Sequence, residues 1–158
     1  MIHLTVDRHY QAVDIDEVLR RAAEATLENQ GVDPRTDLSV VITGDRKLKK
    51  LNFQFRGEAH ATDVLSFPSG EYDSQMGIGY LGDVAISLPR ARVQAKAGGH
   101  SLHTELQLLL VHGILHLLGH DHGGPQEESR MWAAQDEILN RLGLSINRSD
   151  TESPKPES

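Results

Sequence analysis

The spacing of apolar residues divides the chain into short alternating stretches and longer stretches of helical period. Ile2 to Val6 alternates weakly and predicts a first strand. Asp14 then opens a helix, with Glu17 three residues on in a capping-box-like pattern. Ile15, Val18, Leu19, Ala22, Ala23 and Thr26 recur on one face of it, and Gly31 followed by Asp33-Pro34 ends it. Leu38 to Thr43, LSVVIT, is the clearest strand. The next segment, Asp45 to Phe55, has helical period and is expected to bury Leu48, Leu51 and Phe55 while exposing its lysines. After a polar loop, Arg56 to Thr62, Val64 to Phe67 forms a short third strand stopped by Pro68. Ser69 to Gly79 is polar and glycine-containing, the composition of a mobile loop, and Leu81 to Ser87 is a fourth strand. Pro89 suits the first turn of a short helix that stops at Gly98-Gly99. Ser101 caps a further helix whose apolar residues (Leu102, Leu106, Leu109, Leu110, Ile114, Leu115, Leu118) go nearly all the way round, which predicts burial at the centre of the fold. Pro125 starts the last helix, packed through Met131, Ile138, Leu139 and Leu142.

Helical crossovers between strands one and two, and between two and three, imply parallel pairing, whereas the helix-free loop between three and four implies an antiparallel pair. The expected fold is a four-stranded mixed sheet, mostly parallel with one antiparallel strand, packed with helices that include the buried one; both α/β and α+β describe it. Residues 1–146 read as one domain, and 147–158, without an apolar residue, as a disordered tail.

Composition narrows the picture. With 158 residues, 38% of them hydrophobic and 25% charged, the chain has the profile of an ordinary globular protein. It has no cysteine, which excludes disulfides and thiolate metal sites and fits a reducing cytoplasm. The start, MIHLTVDRHY, lacks the basic and apolar regions of a signal peptide, and the longest apolar run is too interrupted to span a membrane, so no membrane association is expected. The net charge of −7 weighs mildly against a nucleic-acid partner, and no DNA is expected among the partners. Its distribution is uneven, however. Arg46, Lys47, Lys49, Lys50 and Arg56 fall within eleven positions, and Arg90, Arg92 and Lys96 form a second cluster. Such runs are most often solvated helix faces, and a local positive patch is the alternative.

The segment Leu106 to His122, LQLLLVHGILHLLGHDH, carries the candidate chemistry. A four-residue step sets His112 and His116 on one helix face, about 6 Å apart along the axis. Gly119 can end the helix with left-handed backbone angles and turn the chain so that His122 comes back toward the pair. Three neutral imidazoles suit one Zn²⁺ with a fourth position open for water, whose pKa falls toward about 7. Nickel or another divalent ion suits the same donors. Without a metal, a buried helix has to satisfy several polar rings by ordinary hydrogen bonds. Asp121 either orients a ligand or caps the turn, and His120 points away from His122 if the exit is extended. His3, His9, His60, His100 and His103 have no metal spacing and read as ordinary surface residues. The array matches the metzincin proteases, H-E-x-x-H-x-x-G-x-x-H, except that the glutamate serving as their general base is here Gly113.

HGILHLLGHDH, residues 112–122, resembles the signature of the YbeY family of bacterial endoribonucleases. Leu51-Asn52 through Phe55-Arg56, the block Thr62 to Pro68 (TDVLSFP) and Leu81-Gly82-Asp83-Val84 resemble three further blocks of that family, so the likeness spans most of the chain outside the tail. Where many relatives have tyrosine, this chain has His120. The resemblance implies a metal-dependent hydrolase that cuts single-stranded RNA, acting in 3′-end maturation of the 16S (small-subunit) ribosomal RNA and in ribosome quality control, with the small subunit or its proteins as partners. It carries zinc, one ion per chain, to His112, His116 and His122, and a functional role near the metal to Arg56. Arg56 then holds a phosphate or offsets charge in the transition state; a surface ion pair is its other reading. Thr62, Asp63 and Ser66 either line the same cleft or serve as turn residues, and the basic helix Arg46 to Lys50 guides the RNA strand. Two rivals stay open at this point. One is a zinc peptidase, opposed by Gly113. The other is a non-catalytic ribosome-assembly factor with a structural metal, which normally needs a fourth protein ligand.

Overall fold

The structure is a computed structural model that describes residues 1–11, 13–58, 62–73, 75–120 and 124–144. Strand β1 (Ile2–Val6) leads through a single 3-10 turn at Arg8–Tyr10 to helix α1 (Asp16–Asn29). Strand β2 (Asp37–Thr43), helix α2 (Asp45–Arg56), strand β3 (Val64–Pro68) and strand β4 (Tyr80–Ser87) follow. Helices α3 (Leu88–Gly98), α4 (Leu102–Leu117) and α5 (Pro125–Arg141) close the order. Every element expected from the periodicity is present. The segment 147–158 lies outside the described residues.

The sheet is four-stranded and mixed, in the order β1-β2-β4-β3. β1 runs parallel to β2 and β2 parallel to β4, while β3 is the antiparallel strand, paired only to β4. The mixed sheet with one antiparallel strand is as expected, but the parallel pairing of strands two and three is not. β4 occupies the place beside β2, and the connection through α2 leads to the far edge. β3 is five residues long and is tied to β4 by the segment 69–79, so the antiparallel pair forms locally and docks on β2 through its longer member.

Alternation along the strands gives the sheet two different faces. Leu38, Val40, Ile42, Val84 and Ile86 point into the main core together with Leu19, Ala22 and Ala23 of α1, Leu106, Leu110 and Ile114 of α4, and Met131 and Ile138 of α5. On the other face a smaller cluster of Leu48, Leu65 and Ala85, flanked by Val41, Leu51 and Phe67, seats α2. Phe55, expected inside, is 61% exposed: the last turn of α2 overhangs the sheet, and the ring pairs with that of Phe67 at a centroid distance of 4.8 Å. Asp14 does not cap α1, whose N-cap is Ile15 without a side-chain bond. Among the described residues no helix is long and apolar enough to cross a membrane.

Candidate active site

α4 is the most deeply embedded helix. Its N-cap Ser101 accepts a hydrogen bond from the Thr104 amide at 3.1 Å, and Glu105 to Val111, Gly113 to Leu115 and Leu117 are buried. The side of α4 that meets the sheet comes unusually close to it. A Cβ on Gly113 would lie 2.7 Å from Val84 Cγ1, 3.2 Å from Ser66 Oγ and 3.3 Å from Val64 Cγ2. Ser66 uses that proximity, donating its hydroxyl hydrogen to the Gly113 carbonyl at 2.8 Å. One turn on, Gly82 of β4 (φ +146°) faces Leu117 and the Phe67 carbonyl, so backbone angle and space both require glycine there. Gly113 is therefore a packing residue, and no glutamate can stand at that position without displacing β4.

The outer side of α4 carries the histidines, both half-buried. His112 Nε2 and His116 Nε2 are 3.1 Å apart, with ring centroids at 4.6 Å and planes inclined at 73°. Two imidazole nitrogens on one tetrahedral zinc ion, each at about 2.05 Å, stand about 3.3 Å apart. The pair is thus already spaced as two ligands of one ion. Its orientation has a cause: Gln135 of α5, buried at 3% exposure, presents Oε1 to His112 Nδ1 at 3.2 Å. An amide oxygen only accepts, so Nδ1 carries the hydrogen, and in the neutral ring Nε2 keeps its lone pair on the side of His116. An outer partner of this kind fixes both tautomer and ring plane of a metal-binding histidine.

α4 ends as the sequence predicts. The Gly119 amide donates to the His116 carbonyl and the His120 amide to that of Leu115, both at 3.0 Å, with Gly119 at φ +98°, a Schellman turn. His120 turns to α1, where its Nε2 meets Gln30 Oε1 at 2.8 Å. Burial, and then the charge of Arg130, push its ring below the usual imidazole range. His122 and Asp121, the expected third ligand and its orienting partner, lie outside the described residues, as does His60. Among the described residues no three metal-binding side chains converge; His112 and His116 are the two of the expected set that the structure brings together.

Arg56, the last residue of α2, reaches the same strand that pins α4. Its Nη2 donates to the Ser66 carbonyl at 3.3 Å, and its side chain is otherwise exposed. Asp63 has a local duty: its Oδ1 accepts from the Val64 amide at 2.8 Å and from Thr62 Oγ1 at 3.4 Å. Thr62 and Asp63 thus serve the turn into β3, while Ser66 faces α4. His100 is not the plain surface residue expected, for its Nε2 lies 2.5 Å from Glu105 Oε1, and Gln94 donates to the other oxygen of that buried carboxylate at 2.8 Å. That cluster ties the end of α3 to the first turn of α4.

Comparison with known proteins gives the chain a family. The model of the family described as Endoribonuclease YbeY matches residues 3–143. The chain belongs to the YbeY family. Proteins named Endoribonuclease YbeY from Chloroflexus aurantiacus and Bacillus licheniformis are 44% and 43% identical over 134 and 140 residues, covering 81% and 84% of this chain and 87% and 85% of theirs. The one from Roseiflexus castenholzii is 41% identical over 150 residues, 92% of this chain and 94% of its own. In solution, a Thermotoga maritima protein with 24% identity has the same fold, at a TM-score of 0.58 over 100% of this chain and 99% of that one.

Within this YbeY-family chain, the residue that sequence reasoning missed is Gln135. A signal for it existed. It stands four residues after Met131 and three before Ile138, a core position in the period of α5, and a glutamine there has to have a partner. Ser66 was named, but its hold on Gly113 depends on β3 being an edge strand under α4, which the chain order does not reveal.

Proposed function

We propose that this chain is a metal-dependent, single-strand-specific endoribonuclease of 16S ribosomal RNA 3′-end maturation and ribosome quality control, working in the cytoplasm on or near the small subunit. The observation that carries the reading is the pair of Nε2 atoms on α4, 3.1 Å apart and aimed by Gln135, in a chain of an endoribonuclease family. His112 and His116 are the residues that would hold a zinc ion, with His122 the third donor from the sequence. When bound, such an ion supplies Lewis-acid polarisation of a phosphoryl oxygen and a water acidified toward neutral pH.

The remaining chemistry falls to the protein's own side chains. Gln135 keeps the hydrogen of His112 on Nδ1, so that ring cannot turn its N–H toward the cleft. Ser66 holds the helix at a fixed height over β3. Arg56 has donors to spare beyond the one on the Ser66 carbonyl, and these can take a phosphate oxygen and offset the negative charge that grows during displacement. Gly113 weighs against the peptidase reading, since its place against Val84 leaves no room for the glutamate base.

The test is cleavage of a synthetic single-stranded RNA by native protein, with elemental analysis in parallel. Cutting that stops with a chelator and returns with zinc, and spares a duplex of the same sequence, is the expected result. Product ends then report the nucleophile: a cyclic phosphate indicates the ribose 2′-hydroxyl and a plain phosphate indicates water. Metal-loaded protein that cuts no RNA would sink the proposal.

A further inference from the structure

α2 has a second, outward stripe that packing does not explain. Arg46, Lys49, Lys50, Phe53 and Arg56 are spaced i, i+3, i+4, i+7 and i+10, hence on one side of the helix, and all five are exposed, whereas Leu48 and Asn52 are buried on the opposite side. Phe53 is 61% exposed and makes no ring contact with another aromatic residue among those described. Arg46, Lys49 and Lys50 have no ion-pair partner within 4 Å among the described residues, in a chain of net charge −7. The stripe is about 15 Å long and ends at Arg56, which is bonded to Ser66, itself bonded to the helix of the two histidines.

We propose that α2 is a track for the single strand leading to the cleft, with one base stacked on Phe53 and the backbone phosphates against Arg46, Lys49 and Lys50. The inference rests on the endoribonuclease reading and on the guiding role expected of the basic helix, and adds to them a stacking platform, Phe53, that grips RNA away from the reacting bond. Cations interleaved with an exposed aromatic are the combination that holds unpaired strands: charge follows the backbone, and a π-face accepts any unstacked base. A duplex keeps its bases stacked inside and has nothing to offer Phe53. The acidic remainder of the surface repels RNA and so concentrates it on this stripe.

Anisotropy with a cleavage-resistant 2′-O-methyl single strand of about twelve nucleotides, within the span that such grooves cover, tests the track apart from catalysis. Phe53→Ala and Phe53→Leu are each expected to weaken binding about tenfold, and Phe53→Tyr by less than about twofold, since stacking needs a ring and not merely apolar bulk. Lys49→Gln combined with Lys50→Gln should flatten the slope of log K against log salt by about 1.4, the share of two phosphates on a single strand. Val93→Ala, an equally exposed apolar residue on α3, is the control and should bind as wild type. Wild-type affinity in Phe53→Ala or Phe53→Leu, or an unchanged salt slope, overturns the proposal and leaves the stripe to an acidic protein partner; no binding by the wild type overturns it too. Cleavage by the wild type, scored in its own assay, shows separately whether the endoribonuclease reading stands.

Discussion

α4 and α2 lie on opposite faces of one sheet and offer their polar groups to the outside in opposite ways. Beyond its first turn α4 is surrounded by protein on nearly every side, and His112 and His116 are the interruptions in that burial, each with a ring position set by neighbours. α2 touches the fold along one stripe, through Leu48, Leu51 and Asn52, and its Arg46, Lys49 and Lys50 are exposed. On the proposed reading, the groups that would share an ion within tenths of an ångström sit where neighbours determine them. Those that would follow a flexible polyanion need reach and charge, which an exposed helix face provides.

Four variants break or sharpen this contrast, starting from the largest effect. His116→Ala should remove stoichiometric metal and lower RNA cleavage by at least about 10³-fold, since several kcal/mol of charge stabilisation go with the ion; metal content and turnover are read on the same preparation. Arg56→Ala, at the end of the exposed helix, should lower kcat by about 10²-fold with little change in melting temperature, which separates a role in the reaction from a role in the fold. Gln135→Leu should weaken metal affinity by about 10–100-fold through the freed ring of His112, visible in a competitive chelator titration while the circular dichroism spectrum stays that of the wild type. Gly113→Ala is expected to have the smallest effect, a net loss of about 1 kcal/mol in denaturant unfolding. Overpacking against the stiff, β-branched Val84 costs about 1–3 kcal/mol, and alanine's better helix propensity returns about 1. Unchanged stability in that variant would mean that the sheet-facing side of α4 is looser than its contacts indicate.

The same contrast explains what could be read from the sequence. Period and caps sufficed for the strands and helices because each segment's burial is repeated over several residues, as in Leu38, Val40 and Ile42 or in the all-round apolar α4. They failed where a position's surroundings depend on which strands are neighbours. Phe55 has a core period yet hangs past the sheet, and β3 reached the edge because a five-residue strand pairs with the strand it is tied to before the crossover rule applies. The histidine pair and the Gly119 turn were legible because a four-residue step and a left-handed residue are local geometry. Gln135 was not, since its partner is twenty-three positions away, although a glutamine at a core position was the hint.

Ser66 serves as a common gauge for α4 and for Arg56. Its hydroxyl holds the histidine helix and its carbonyl receives the arginine, so neither is measured from the other. Lengthening the connection 57–63 by a residue should therefore leave Arg56 and the imidazoles in step, as long as β3 keeps its alignment on β4. A single-residue slip of that strand would instead turn Ser66 away from α4 and put both partners out of reach at once.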